Sequence, residues 1–340
     1  MAHKIDKKIT RRDLGKALGI AGAATIVGAP ALAQDRGTAS STWAEGYLGT
    51  TLKFGVSCFN TANPFYAPVK VGAEDAGEQL GIEVLWTGVS DGNTVNQIAG
   101  FEQMVRTGYQ AIVVIPLEAE AWIAPIRKAR EAGVLVLTTN TDSPSSDREL
   151  FFGQDLKAAA VDQGEMLGEL TGGSGDIALT NCAPGVGALD LRVEGASLGA
   201  ANSGMGVVGI YNTNPADMAA EIATIEDIIK ANPDVAGLAP LCGPDTAAAG
   251  LVRKNNGLDI PIVGHDMLYQ TLELIKEGYI DATIGQQPYL QGFMPIMYAY
   301  QRVALGAPAL DLPGGNYFLA SEIVNKDNVD QFLIRESRFQ

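Results

Sequence analysis

The sequence predicts an α/β fold built from two doubly wound parallel-sheet units. Short apolar runs alternate with longer amphipathic segments, the alternation restarts midway, and 340 residues with 46% hydrophobic content suffice for two cores. In the first half LKFGVSCF precedes a helical pattern over 68–81, IEVLWTG one over 93–108 and AIVVIP one over 119–133, before VLVLTTN. Continuous apolar runs suit parallel strands covered on both faces, and the intervening segments end in Gly, as helices often do. The second half repeats this grammar: FFGQD before a helix to 173, DIALTNC before 187–202, VVGIYN before 216–232, VAGLAPLC before 243–257, and PIVGHD before a helix ending at 278. Ile222, Ile225 and Ile229 share one helical face, as do Leu268, Leu272 and Ile275. The last elements, ATIGQ, a helix over 288–306 and the strand NYFLASEIVN, are too few for a third unit and must complete the earlier two. Trp86 and Trp122, on a predicted strand and helix, are read as core.

The N-terminal stretch reads as an address rather than a fold. Paired Arg11 and Arg12 in TRRDLGK precede an Ala/Gly-rich apolar run and Ala31-Leu32-Ala33, which resembles a twin-arginine export signal cleaved before Gln34. An amphipathic helix is a poorer reading, because 19–28 has no charged face and many glycines. No Cys follows that cleavage position, and no later apolar run reaches the roughly 20 residues of a membrane span. A soluble, periplasmic mature chain without membrane insertion is expected.

The predicted signal holds six of the 24 Lys and Arg and two of the 39 Asp and Glu, so the remainder is more acidic than the whole chain's net charge of −15. An acidic surface repels phosphate backbones, which argues against nucleic acid as a partner. Enzymatic chemistry is thinly provided for. Without His3 the chain keeps one histidine, His265, and its neighbour Asp266 should point to the opposite face of the same strand. A single His argues against the common zinc sets. TGGSG at 171–175 follows a helix and precedes a strand, the reverse of a phosphate-cradling turn, and no P-loop motif occurs. No cofactor or metal is expected, and no catalytic residue is assigned. Cys58, Cys182 and Cys242 lack C-x-x-C spacing; three buried free thiols are the favoured reading, with a Cys182–Cys242 disulfide as the minority one.

Ligand sites of α/β folds form at the C-terminal ends of parallel strands. Those ends carry Asn60, Asn63, Phe65 and Tyr66 in the first unit, with Thr139, Asn140, Thr141 and Asp142 after its fourth strand. The second unit offers Asn181, Cys242, Gly243 and Asp266, then Gln286. Amides, carboxylates and flat rings match a polyol, whose hydroxyls alternate with C–H faces. Each residue also has a bland reading, as a helix cap or a core aromatic.

Four motifs in order then give a resemblance. NPFY at 63–66, NPDV at 232–235, IPIVGHD at 260–266 and DATIGQQP at 281–288 are similar to segments of the ribose-binding type of periplasmic sugar-binding proteins. The resemblance implies a type I periplasmic binding fold with three hinge strands. Its domains would run 51–153 plus 287–313 and 154–286 plus 314–340, after a signal at 1–33 and a linker at 34–50. It implies ligand contacts from Asn63, Phe65 and Tyr66 in the first domain and from Asp266 and Gln286 in the second domain and hinge. Where ribose binders carry Asp-Arg, this chain has Asn140-Thr141; where they carry an Arg ahead of the Arg-x-x-Gly motif, Asp190 stands before Arg192; Cys242-Gly243 replaces Asn-Asp. Two guanidiniums fewer removes charge-assisted hydrogen bonds of roughly 1.5 to 3 kcal/mol each. The expected ligand is a neutral sugar or polyol other than ribose, an alditol or cyclitol included, held by a monomer that serves an ABC transporter permease. Rival readings are a sensor component that hands its closed form to a chemoreceptor or kinase, and an enzyme on the same scaffold.

Overall fold

A computed structural model describes residues 52–215 and 217–339. The expected signal and linker, 1–33 and 34–50, lie outside the described residues. The first lobe opens with β1 (Lys53–Cys58), α1 (Ala67–Leu80), β2 (Glu83–Gly88), α2 (Thr94–Arg106), β3 (Ala111–Ile115), α3 (Ile123–Glu131), β4 (Leu135–Thr139) and β5 (Phe151–Gly153). The second lobe follows with α4 (Leu156–Thr171), β6 (Asp176–Asn181), α5 (Gly187–Asn202), β7 (Gly206–Asn212), α6 (Met218–Ala231), β8 (Gly237–Pro240), α7 (Gly243–Asn256), β9 (Val263–His265), α8 (Tyr269–Glu277) and β10 (Ala282–Gly285). The chain then returns through α9 (Pro288–Val303) and β11 (Asn316–Phe318) to the first lobe, and ends with β12 (Glu322–Asn325) and α10 (Val329–Glu336) in the second.

The first sheet has the order β2-β1-β3-β4-β5-β11 with every pair parallel. In the second lobe β7-β6-β8 and β9-β10-β12 form two short sheets that meet at a parallel bridge between Leu238 and Ile262. The combined order repeats that of the first lobe, except that β12 runs antiparallel to β10. Both sheets are covered on two sides, as their continuous apolar strands require. In the first lobe Phe54, Val56, Val113 and Leu137 pack with residues of α1 and α9, while Ile112, Val114 and Val136 pack with residues of α2 and α3. Trp122 is fully buried against Phe101, ring centroids 5.3 Å apart, and Trp86 packs against the core formed by the other face.

NYFLASEIVN, expected as one strand, divides into β11 and β12, one in each lobe. β11 continues the first sheet beyond the expected crossing at 313/314, because Tyr317 packs against Phe152, ring centroids 5.2 Å apart, and Arg148 fixes the preceding turn by donating to the Gly315 carbonyl and Asn316 Oδ1. Three segments therefore pass between the lobes, after Gly153, after Gly285 and after Phe318. One side chain, Gln154, holds them together: from the first crossing its Nε2 donates to the Gly285 carbonyl at 3.0 Å and to Ser321 Oγ at 2.9 Å. The Leu319 N–H also donates to the Gly153 carbonyl.

The helix entering each lobe from a crossing lies against the helix that follows that lobe's leading strand, α9 against α1 and α4 against α5. Glycines allow the approach. A β-carbon at Gly292 would collide with the Val69 carbonyl, and one at Gly199 with the Val161 carbonyl. Gly199→Val or Gly292→Val must push two helix backbones apart, and overpacking of this kind costs about 1–3 kcal/mol or more. Thermal melting should show the loss for both variants.

His265 is fully buried at the end of β9. Gln163 Nε2 donates to the carbonyls of Pro240 and Val263, which leaves its Oε1 as acceptor for His265 Nε2 at 3.1 Å. Burial first, then the Arg192 charge, holds the imidazole well below its ordinary value, so it is neutral in the folded chain. The unfolded chain takes up a proton near pH 6.5 that the folded chain refuses, so stability falls as pH drops below that value. Stability should fall measurably between pH 6.5 and 5. In melts across this window His265→Gln should give the flatter profile.

Candidate functional site

Strand ends from both lobes face each other across a cavity of about 240 Å³, below the usual drug-sized range and suited to a small ligand. A continuous polar chain crosses its floor. Tyr66 Oη donates to Asn140 Oδ1 at 3.1 Å, and Asn140 Nδ2 donates to Gln286 Oε1 at 3.2 Å and to Gln291 Oε1 at 3.1 Å. Gln286 Nε2 donates to Asp266 Oδ1 at 2.6 Å. Asp266 Oδ2 accepts the Gly243 N–H at 3.1 Å, from the first turn of α7, where the helix dipole favours an anion. Arg192 closes the chain: Nη2 stands 3.4 Å from Asp266 Oδ1, and Nη1 donates to the Leu241 carbonyl at 2.6 Å.

The backbone carries this arrangement at a cost. Among the described residues three non-glycines have positive φ: Asn140 at 64°, Asp266 at 69° and Gln287 at 58°. Asn140 follows β4 and Asp266 follows β9, each the fourth strand in its lobe's order, so the two strained residues occupy equivalent places. Left-handed backbone is uncommon outside glycine and costs of order 1–3 kcal/mol when the surroundings enforce it. Here it turns an amide and a carboxylate out of their strands and toward Gln286, on the crossing between them.

Tyr66 is buried at the start of α1, edge-on to both Phe65 (5.2 Å) and Phe59 (5.6 Å). Burial raises its phenol well above the ordinary value, so the hydroxyl remains a donor. Asn63 caps the 3₁₀ turn Pro64–Tyr66 by accepting the Phe65 N–H at 3.0 Å, and it lines the cavity while doing so. Thr141 also lines the cavity, but its hydroxyl is committed to the Pro116 carbonyl at 2.5 Å. The remaining wall is apolar, including Leu117, Leu156, Val186, Leu189 and Leu268.

Of the ten expected site residues, nine line this cavity: Asn63, Phe65, Tyr66, Asn140, Thr141, Arg192, Cys242, Asp266 and Gln286. Asp190 does not. Two residues before Arg192, it lies about 200° around the α5 axis and is exposed. Cys242 is not a free thiol either: it is joined to Cys182, which ends the strand next to its own, while Cys58 is free and buried in the first lobe. Asp142, at another strand end, is taken up by a bidentate pair with Arg148, at 2.8 and 2.6 Å. Asn181 accepts the Ala183 N–H and is absent from the lining.

Sequence reasoning missed Gln291 and Gln154. Gln291 is fully buried on α9, bonded to both Asn140 and Gln286. Its signal was available, an uncharged polar residue five positions after Gln286 on the buried face of a helix. The apolar wall carried no such signal, because its leucines and valines are indistinguishable in sequence from core.

The family described as "Periplasmic binding protein domain" matches residues 54–307. The xylose/arabinose-binding protein of Sulfolobus acidocaldarius is 27% identical over 297 residues, 82% of this chain and 72% of that protein. Among solved structures, an ABC transporter solute-binding protein from Burkholderia graminis in complex with D-arabinose superimposes with a TM-score of 0.76 at 22% identity, covering 82% of this chain and 96% of that one. The structure of a XylFII–LytSN complex gives 0.73 at 22% identity over 82% and 99%. With two parallel-sheet lobes, three crossings and a ligand-sized cleft between them, the chain belongs to the periplasmic binding protein family, as a type I binding protein rather than an enzyme.

Proposed function

We propose that the chain binds a neutral sugar or sugar alcohol in the cleft between its lobes, in the periplasm, and delivers it as a monomer to an ABC transporter permease. The carrying observation is the polar chain from Tyr66 through Asn140, Gln286 and Asp266 to Arg192. Its groups come from both lobes and a crossing, and its one buried anion faces its one buried cation, so no net charge is left for a ligand to neutralise. Hydroxyl groups suit it well, since each both donates and accepts. Phe59, Phe65 and Tyr66 line the cavity, and aromatic ring faces suit the C–H faces of a sugar. The curated relatives named for xylose/arabinose, allose and ribose support the ligand class.

Binding then acts as differential stabilisation: a ligand that touches both lobes favours the closed arrangement over the open one, and the transporter reads which is populated. A sensor would read the same closure, and the fold likeness to the XylFII–LytSN complex is the observation behind that second reading.

The test is a thermal-shift screen against pentoses, hexoses, alditols, cyclitols and amino acids, followed by calorimetry on the best ligand. A ligand at 1,000 times its dissociation constant should add about 4 kcal/mol of stability. Asp266→Asn and Gln286→Ala should each weaken binding about ten- to a hundredfold, as the loss of hydrogen bonds to charged or buried groups implies. Asp190→Ala should leave binding unchanged. Silence from every polyol together with a response to an amino acid or a charged metabolite would overturn the sugar assignment. Uptake of the labelled ligand, lost when this chain is removed and restored with it, separates delivery from sensing.

A further inference from the structure

The disulfide in the cleft wall has a buried acidic neighbourhood that the polar chain does not use. Cys182 follows β6 and Cys242 follows β8, and both line the cavity. Behind them Asp245, in the first turn of α7, is fully buried; its Oδ1 accepts from Thr213 Oγ1 at 2.8 Å, while Oδ2 has no hydrogen-bond donor. Glu221 on α6 is fully buried beside it. The two sulfurs and a carboxylate oxygen of Asp245 lie within 4.8 Å of one another.

Buried carboxylate oxygens without donors are costly unless a proton or a cation meets them. Two sulfurs beside a carboxylate offer something more specific. Soft thiolates with one oxygen donor select zinc-like ions over magnesium or calcium.

We propose that, once the disulfide is reduced, Cys182, Cys242 and Asp245 hold a thiophilic divalent cation, zinc in the first instance, with its fourth position toward the cleft. Donors on one tetrahedral zinc, at about 2.3 Å for sulfur and about 2.0–2.2 Å for oxygen, stand roughly 3.5–3.8 Å apart. Side-chain rotation of the released cysteines reaches that spacing. Thr213 fixes the carboxylate's orientation as an outer partner, and Cys242 stands at the N-terminus of α7, which favours a thiolate. The chemistry balances with a phosphine as reductant: the S–S bond breaks, phosphorus is oxidised to the phosphine oxide with oxygen from water, and the two hydrogens of that water end on the two sulfurs. Cation binding then releases both thiol protons to solvent. The inference does not depend on which ligand the cleft takes.

The experiment titrates Co²⁺ into the protein, oxidised and phosphine-reduced, and follows thiolate-to-cobalt charge-transfer absorption, with zinc as competitor. One cobalt per chain in the reduced form, none in the oxidised form and displacement by zinc are expected. Asp245→Asn should weaken binding at least tenfold, and Thr213→Val about tenfold, in the range seen for outer partners. Cys58, whose thiol burial pushes up to about 12, is the internal control, and Cys58→Ser should keep the band. Absence of the band from reduced protein, its loss in Cys58→Ser, or loss of cooperative melting on reduction would each overturn the proposal.

Discussion

Gln286 is the residue through which the two lobes feel each other. It lies on a crossing, receives the amide of Asn140 from one lobe and donates to the carboxylate of Asp266 from the other. Both partners follow the fourth strand of their lobe and both have left-handed backbone. Such backbone persists only where the surroundings enforce it, and here the enforcement is reciprocal. Each strained residue is held by hydrogen bonds to a shared amide, and that amide's own orientation is fixed by Gln291 on the next helix. A buried network of this kind is stiff when every member is satisfied and expensive when one is removed.

The repeat of topology explains why the network falls in the middle. Each lobe places its leading strand beside its second and third, and the connections leave the C-terminal strand ends on one side of each sheet. Three crossings tied together by Gln154 bring those two sides into opposition. Glycine contacts between the entering helix and the first helix of each lobe let the crossings come close to both sheets. The cleft is therefore a product of the chain path, and a small set of polar side chains makes it chemical.

Much of this was legible in the sequence because strand ends are. Apolar runs locate β1 to β10, and the residue after each run is where an α/β fold puts its chemistry. That logic reaches Asn140, Asp266 and Gln286 from local pattern alone. It fails where the outcome depends on helical phase or on a distant partner. Asp190 looked equivalent to a ligand-facing position, but two residues on a helix is just over half a turn, and Arg192 holds the inward phase. Cys182 and Cys242 are sixty positions apart, and only the adjacency of β6 and β8 joins them. The end of the chain misled for a related reason: NYFLASEIVN has the composition of one strand, while its pairing partners, β5 and β10, belong to different lobes.

The charge arithmetic of the cleft gives the ligand its character. Arg192 and Asp266 are almost wholly withdrawn from water, and a buried ion pair is stable only when additional hydrogen bonds complete it. Asp266 has those bonds from Gln286 and from the Gly243 N–H, and Arg192 has the Leu241 carbonyl, with its Nε left without a partner. An anionic ligand would compete with Asp266 for Arg192 and strand a buried carboxylate; a cationic one would do the converse. A hydroxyl that accepts from the guanidinium or donates to the carboxylate adds to the pair instead of dividing it. For the proposed neutral ligand, the arrangement disfavours charge of either sign through the same two residues, and shape, set by the apolar wall and the aromatic rings, is left to distinguish one ligand from another.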